Sequence, residues 1–515
     1  MTRQANDRTA PRKSTATPSR PAEPRPSLAR VFPTVLEWTN PRGPFLVPLL
    51  LLLTARILLM LNTPTSAEDA FITFRYARNL AAGQGLVYNP GEYVMGFTSP
   101  LWTVWSALGI KLTGNPVPWA LAWSFLADLV TLLAGGMLMI TTAGIASAWA
   151  FTFFFALWPY FSALSISGME MSVCLGLLVL GAALTQRRSR ASGLVLAALA
   201  LARPETFVAA ALLSLAASWR DRLVALAITA TGVVALTLTY GSPIPNSMLV
   251  KANVYGTPGP WSGRHWWDWI SPIIMGRWPG NGDPVMLAFL AVVLAPATIA
   301  GGRELWRQRD SALARLALAL TVIWLGYIVV GAAYFWWYFA FPLTAAALLT
   351  AVGLPRVTRG IGIPVALVLF VASSWTIATE LYRGRSYNEA TAFGNMAEAL
   401  RSRCKPGDRV MLEPIGMIGF TCPVVVIDET GLVSPEVAKR RLEGPGWYTD
   451  IVASRQPQWL VVRRGVIESQ NAFAGVGRPF RNQGERDALL ARYHTVTTTG
   501  DPASENALLL LQRQP

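Results

Sequence analysis

The sequence predicts a mainly α fold, a polytopic helical membrane bundle of about eleven spans followed by a small α/β extracytoplasmic domain. Three observations carry this. Of 515 residues, 52% are hydrophobic and only 14% are charged, where a soluble globular protein carries about a quarter of its residues as charges. Apolar runs long enough to cross lipid recur through residues 44–379 and then stop. After Glu380 the charges return, and short β-rich runs alternate with helical patterns.

The net charge of +15 orients the bundle. Lys and Arg punctuate apolar runs instead of interleaving with aromatic residues on one surface, so a nucleic-acid groove is excluded. Residues 1–43 hold eight basic residues against three acids in a Pro-, Ser- and Thr-rich setting, which reads as a disordered basic cytoplasmic tail. No small-residue cleavage motif follows the first apolar run, so it is not read as a signal peptide. Residues 44–62 then cross outward. The basic clusters at Arg187–Arg190, Arg220 with Arg222, Arg303–Arg309 and Arg356 with Arg359 mark cytoplasmic loops.

Those anchors set the parity. Spans are expected at 118–139, 142–160, 170–186, 222–240, 285–302, 314–332, 335–352 and 361–379, with 98–112 as a periplasmic or interfacial helix. Between Arg190 and Arg220, the Arg203-Pro204-Glu205 turn divides a pair of short helices and either faces a wet cavity or makes a structural ion pair between helices. Residues 44–379 thus form one transmembrane domain with outer loops 63–117 and 241–284, and residues 380–515 a C-terminal periplasmic α/β domain. Strands are expected at Arg409–Glu413, Val424–Asp428, Trp459–Val462 and Ala507–Gln512, with a helix over Asn388–Arg403. Cys404 and Cys422 both fall there, where an oxidising compartment lets them pair or leaves two core thiols; Cys174 lies in an apolar span as a packed thiol.

The chemistry concentrates in the first outer loop, Ser66–Trp102. Adjacent acids, Glu68 and Asp69, stand where the first span leaves the membrane. On a helix Asp69, Thr73 and Tyr76 share one face, with Glu68, Arg75 and Arg78 along another. A carboxylate there can serve as general base toward a sugar hydroxyl, and a guanidinium can grip a lipid phosphate. The competing reading is an interfacial helix capped by Asp69 whose arginines touch lipid head groups.

The loop reads E-D-A-F-I-T-F-R-Y-A-R-N-L, then G-Q-G-L-V-Y-N-P-G-E and G-F-T-S-P-L-W. It resembles the first periplasmic loop of the GT-C glycosyltransferases, and within them the group containing the mycobacterial terminal β-(1→2) arabinofuranosyltransferase. Further matches follow in order: I-S-G-M-E ending at Glu170, A-R-P-E at Ala202–Glu205, P-N-S-M-L-V-K-A at Pro245–Ala252, W-W-Y-F-A-F-P-L at Trp336–Leu343 and V-V-I-D-E-T-G-L-V-S-P-E at Val425–Glu436. The resemblance implies a multi-pass enzyme of the bacterial cytoplasmic membrane, inverting in mechanism. It would move a sugar, arabinofuranose among the candidates, from a polyprenyl-phosphate donor to a glycan or lipid acceptor of the cell envelope. The catalytic acid maps to Asp69; relatives commonly show Asp-Asp where this chain has Glu68 first.

For the donor phosphate and substrate, Arg75, Tyr76, Arg78, Glu170, Arg203, Glu205, Asn246, Lys251 and Tyr338 are the candidates. Lys251 also suits a snorkelling interfacial lysine, and Glu170 a helix cap. His265 among Trp261, Trp266, Trp267 and Trp269 suits an interfacial belt or a sugar platform, and Tyr334–Tyr338 a lipid-carrier groove or an interface. Two histidines and no ligand motif leave only a carboxylate site for a divalent cation, at Glu68 and Asp69. No Walker loop or dinucleotide fingerprint is found, and a lipid-linked donor needs no further cofactor. A transporter or flippase of lipid-linked sugars is the alternative; it calls for broken spans in corresponding halves, and only the Arg203 region is interrupted.

Overall fold

The computed structural model describes residues 32–40, 42–253, 294–333, 335–358, 390–468, 473 and 477–515. The expected span at 361–379, part of that at 285–302, the His265 and tryptophan cluster, and Tyr334 lie outside these residues. The membrane part runs α1 Leu46–Asn62, α2 Glu68–Ala81, α3 Pro100–Thr113, α4 Pro116–Ala143, α5 Ile145–Leu157, α6 Pro159–Ile166, α7 Met171–Gln186, α8 Ser192–Ala202, α9 Thr206–Ser214, α10 Trp219–Tyr240, α11 Asn246–Asn253, α12 Ala295–Arg307, α13 Ala312–Val329 and α14 Ala340–Val357.

Among the described residues four helical segments are long and apolar enough to cross a membrane: α4, α10, α13 and Trp336–Val357, the last being a 3-10 turn continuous with α14. The bent pair α5 and α6 makes a fifth. Shorter apolar helices, α1, α7 and α8, complete the described bundle, so the expected count of about eleven is not reached within it. α3 is a separate 14-residue helix ended by Gly114 in the left-handed conformation. At about 21 Å it is shorter than the hydrocarbon core.

One expected span is broken. Residues 142–160 were expected to be continuous, but α5 and α6 bend by 54° at Trp158 and Pro159. Pro159 has no N–H for the carbonyl of Phe155, and the bend withdraws the next donor from Ala156. Arg56 of α1 supplies both: Nη2 donates to Phe155 O at 3.1 Å and Nη1 to Ala156 O at 2.5 Å. Its Nε reaches Asp128 of α4 at 2.9 Å, and Ser165 also donates to Asp128. A buried arginine thus stitches the break and is neutralised by a buried aspartate. Elsewhere close approach uses glycine. A Cβ on Gly353 of α14 would lie 1.8 Å from Ala297 O of α12, and one on Gly301 lies 1.9 Å from Leu349 O.

The C-terminal domain is a five-stranded sheet in the order β2-β1-β3-β5-β4, from β1 Arg409–Leu412, β2 Val425–Asp428, β3 Trp459–Arg463, β4 Tyr493–Thr499 and β5 Leu508–Arg513. β1 pairs in parallel with β2 and β3, and β5 pairs antiparallel with β3 and β4. The four expected strands are present, together with a helix over 390–401. β4 was not expected, because its Thr-rich run is polar and mostly only half-buried.

Alternation sends Val410, Leu412, Val426 and Val461 to one face and Met411, Ile427, Leu460 and Val462 to the other. The second face packs on helices of its own domain, including Trp447, Tyr448 and Ile451. The first face shares its core with Ile72, Tyr76, Tyr88, Met95 and Phe97 of the first outer loop. The sheet is therefore built onto that loop.

Candidate active site

The start of α2 is seated by the I-S-G turn. Ser66 and Ala67 donate backbone N–H groups to Ile166 O at 2.9 Å and Ser167 O at 2.7 Å. Ser66 holds φ at +71°, an unfavourable value for a residue with a Cβ. Gly168, at φ +73°, leaves room for it, since a Cβ there would fall 2.8 Å from Ser66 Oγ and 3.3 Å from Ala70 Cβ. Trp102 Nε1 donates to Gly168 O at 3.2 Å. Three sequence motifs thus meet around the first turn of α2, where Asp69 is the second residue and half-buried.

Glu68 points elsewhere. Its carboxylate accepts the backbone N–H groups of Gly416, at 2.5 Å, and Met417, at 2.9 Å, at the start of α15 Gly416–Thr421. At the far end of α15, Arg75 Nη1 donates to Gly419 O at 2.5 Å and Arg78 Nη1 to Phe420 O. An acid meets the helix N-terminus and two bases its C-terminus, the polarity the helix dipole favours.

Arg75 also donates to Tyr88 O at 2.9 Å, Asn89 Oδ1 at 3.0 Å and Val424 O at 2.6 Å, with its guanidinium 4.3 Å from the Tyr88 ring centroid. All three of its nitrogens are committed. The expected phosphate grip by Arg75 is therefore replaced by an inter-domain bridge. The same correction holds for Tyr76, wholly buried, whose hydroxyl donates to Val94 O at 2.6 Å and accepts from Gly96 N at 2.9 Å. Arg78 is only half-buried and contacts protein through Nη1 and the Phe420 ring.

Residues not singled out in the sequence complete this junction. Asn89 donates to Val426 O at 2.8 Å and accepts from Val426 N at 3.0 Å, so one side-chain amide occupies the free edge of β2. Asn246, expected to bind substrate, donates to Gly431 O at 2.9 Å and Leu432 O at 2.8 Å and so holds the D-E-T-G-L loop. Within that loop Asp428 accepts from Thr430 N and Val433 N, and burial raises its carboxyl to about 6 despite those bonds. Neighbouring Glu429 is pushed up to about 8 by burial and by Glu413, although Tyr448 donates to it at 3.1 Å.

A second cluster gathers Glu170, Arg203, Glu205 and Tyr338, four of the candidates named above. Arg203 precedes Pro204 and is extended, so α8 ends there; Thr206 accepts from Arg203 N at 3.2 Å and donates to Leu199 O at 2.5 Å. The buried guanidinium pairs with Glu170 and, at 2.6 Å, with Glu205. Glu170 makes no cap bond on its own helix. Tyr327 donates to Glu205 at 2.9 Å, and its ring centroid lies 5.0 Å from that of Tyr338.

The Tyr338 ring faces two cations: Arg203 at 5.6 Å and Lys251 Nζ at 5.9 Å, with Lys251 also 4.9 Å from the Phe335 ring and 5.3 Å from Trp337. Among the described residues Lys251 has ring partners and no carboxylate partner. Glu170 lies two residues past Gly168, so this cluster adjoins the turn that seats Asp69.

Cys404 and Cys422 are free thiols, which corrects the disulfide reading. Cys422 Sγ donates to Ala397 O at 3.3 Å and burial raises its thiol to about 12; Cys404 is its half-buried neighbour. Cys174 is a buried thiol. No group of three or more metal-ligating side chains forms among the described residues, and both oxygens of Glu68 already accept backbone amides.

Residues 377–509 match a family described as a domain of unknown function, DUF8728. No curated protein matches the sequence. Among solved structures, the chain is similar to ArnT from Cupriavidus metallidurans, with 12% identity and a TM-score of 0.57 over 90% of this chain and 97% of that one. It is also similar to the oligosaccharyltransferase AglB from Archaeoglobus fulgidus, with 11% identity and a TM-score of 0.51 over 91% and 74% of the two chains. Mycobacterial arabinofuranosyltransferase AftD aligns at 16% identity and a TM-score of 0.43, covering 41% of that chain. At these identities the likeness speaks for architecture alone: this chain shares its overall fold with ArnT and AglB.

Proposed function

We propose that this chain is an inverting glycosyltransferase that takes a sugar from a polyprenyl-phosphate donor, with Asp69 as general base. The observation that carries the reading is the seating of Asp69. It stands on the first turn of a helix held on one side by the I-S-G turn and on the other by the C-terminal domain, beside a cluster of buried charges. ArnT has been solved with undecaprenyl phosphate and AglB with a dolichol-phosphate, which supports a lipid-phosphate donor here.

In this reading Asp69 accepts the proton of the acceptor hydroxyl as its oxygen attacks the anomeric carbon from the face opposite the phosphate. The bond from that carbon to the phosphate oxygen breaks, and the electron pair leaves with the polyprenyl phosphate. Lys251, which among the described residues has no carboxylate partner, meets the charge growing on the phosphate, and the Tyr338 ring holds it beside the Arg203 cluster. The acceptor is a glycan or lipid of the cell envelope, and arabinofuranose is the sugar favoured. The reaction takes place on the outer face of the cytoplasmic membrane, with residues 1–43 inside and residues 380–515 outside.

Reconstituted protein given radiolabelled polyprenyl-phosphate arabinofuranose and membrane glycans tests this. Transfer of label to glycan is expected, with loss of at least a hundredfold in Asp69→Asn at unchanged size-exclusion profile. Near wild-type turnover by that variant removes the mechanism; label that crosses the bilayer without forming glycoside makes the protein a flippase. The two breaks in the described helices, at Pro159 and Pro204, lie close together in the chain rather than in corresponding halves, which gives a flippase no support.

A further inference from the structure

At the end of the bundle away from Asp69 lies a cavity of about 490 Å³, between the end of α7, the turn after α9 and the start of α13. α7 starts beside the I-S-G turn and runs 16 residues to Gln186, so the cavity is about 24 Å from the proposed chemistry. Its charged lining is Arg188, Arg222 and Arg315 against one acid, Asp310. That acid is 94% exposed and 3.7 Å from Arg315, a loose contact that leaves most of the positive charge in place.

The arginines are not committed to structure alone. Arg222 spends Nε on Ser214 O and Ala217 O and Nη2 on Leu215 O, closing the end of α9, while Nη1 has no hydrogen-bond partner among the described residues. Arg188 holds φ at +53° at the end of α7, where glycine is the easier residue. Among the described residues neither Arg188 nor Arg222 has a carboxylate partner. The 22-residue α10 and 18-residue α13 both begin at the cavity, with Ser218 and Ser311 as N-caps in its wall, and add their positive ends to the same field.

The surroundings define the ligand. Leu215 in the wall is 62% exposed and Trp219 beside it 66%, so the cavity opens where an apolar surface meets polar loops. An exposed tryptophan at such a level marks the headgroup layer. A basic recess between spans at that depth suits a lipid phosphate, with the guanidinium forks as donors and the acyl chains left against α10.

We infer that this recess is a binding site for the phosphodiester headgroup of an anionic phospholipid, separate from the proposed transfer site and independent of the reading given to it. The full-length protein, delipidated in neutral detergent, is titrated with phosphatidylglycerol, with phosphatidylcholine and with inorganic phosphate, and bound adducts are counted by native mass spectrometry. Saturable retention of one phosphatidylglycerol is expected, at least tenfold tighter than phosphatidylcholine. Arg188→Gln combined with Arg315→Gln lowers that retention at least tenfold, while Arg222, which closes α9, is left alone. An unchanged size-exclusion profile confirms that the variant is folded. Equal retention of the two lipids, or equal phosphatidylglycerol retention by wild type and variant, overturns the site. Displacement of the lipid by low-millimolar inorganic phosphate overturns the lipid as its occupant.

Discussion

The Glu68 carboxylate accepts the backbone N–H of Gly416, 348 residues away, while its own backbone carbonyl lies 2.0 Å from where a Cβ on Gly416 would stand. The residue next to the proposed base is thereby one of the fastening points of the C-terminal domain. Glu68→Ala leaves two amides of α15 without their anionic cap, a loss on the order of 1–2 kcal/mol. Gly416→Ala forces the two backbones apart. Both variants are expected to lower kcat at least tenfold while donor KM changes little, with Glu68→Gln intermediate because it keeps one acceptor oxygen. Steady-state kinetics on reconstituted protein checks this, and a KM effect without a kcat effect would count against the fastening role.

Lys251 stands over Phe335, Trp337 and Tyr338 and has no acid beside it among the described residues. Lys251→Ala is expected to raise donor KM and lower kcat together, because its charge meets the phosphate in the ground state and meets more negative charge there in the transition state. Tyr338→Leu, which removes the ring shared with Arg203, is expected to give a smaller effect in the same direction. Titration of donor concentration separates the two.

Arg56 and Asp128 form a pair buried between α1 and α4. Arg56→Met leaves Asp128 without its counter-charge and the Phe155 and Ala156 carbonyls without donors, a cost of about 3–5 kcal/mol. Arg56→Met with Asp128→Asn removes the stranded charge and is expected to recover part of the loss. Thermal unfolding in detergent is the measurement; equal melting of the single and double variants contradicts the pairing.

Glu429 carries a carboxyl raised to about 8 from an ordinary value of 4.5. With the folded value above the unfolded one, the native state holds the extra proton between those limits, so stability falls as pH rises through that window. The slope approaches about 1.4 kcal/mol per pH unit for one such group. Glu429→Gln is expected to melt higher than wild type at pH 8–9 and similarly below pH 4.5. Melting curves of the full-length protein across that range test it, and parallel pH profiles for the two proteins would refute it.

The composition, the apolar runs and the shift after Glu380 were enough to determine a mainly helical, apolar part followed by a small sheet, because lipid burial and β-alternation are written in local patterns. Four of the five strands were legible for the same reason, and Glu170, Arg203 and Glu205 stood out as charges against apolar neighbours, but only the structure brings them together with Tyr338 around one guanidinium. Lone Arg56 and Asp128 carried that signal too, but their pairing needs two helices to be placed. Only the tertiary structure decided what Glu68, Arg75, Tyr76 and Asn246 do. Spacing along α2 put its acid and bases on one face and suggested phosphate binding; the partner proved to be α15, whose two ends ask for those same charges. A helix terminus and a lipid phosphate call on side chains in the same way, and no local pattern distinguishes them.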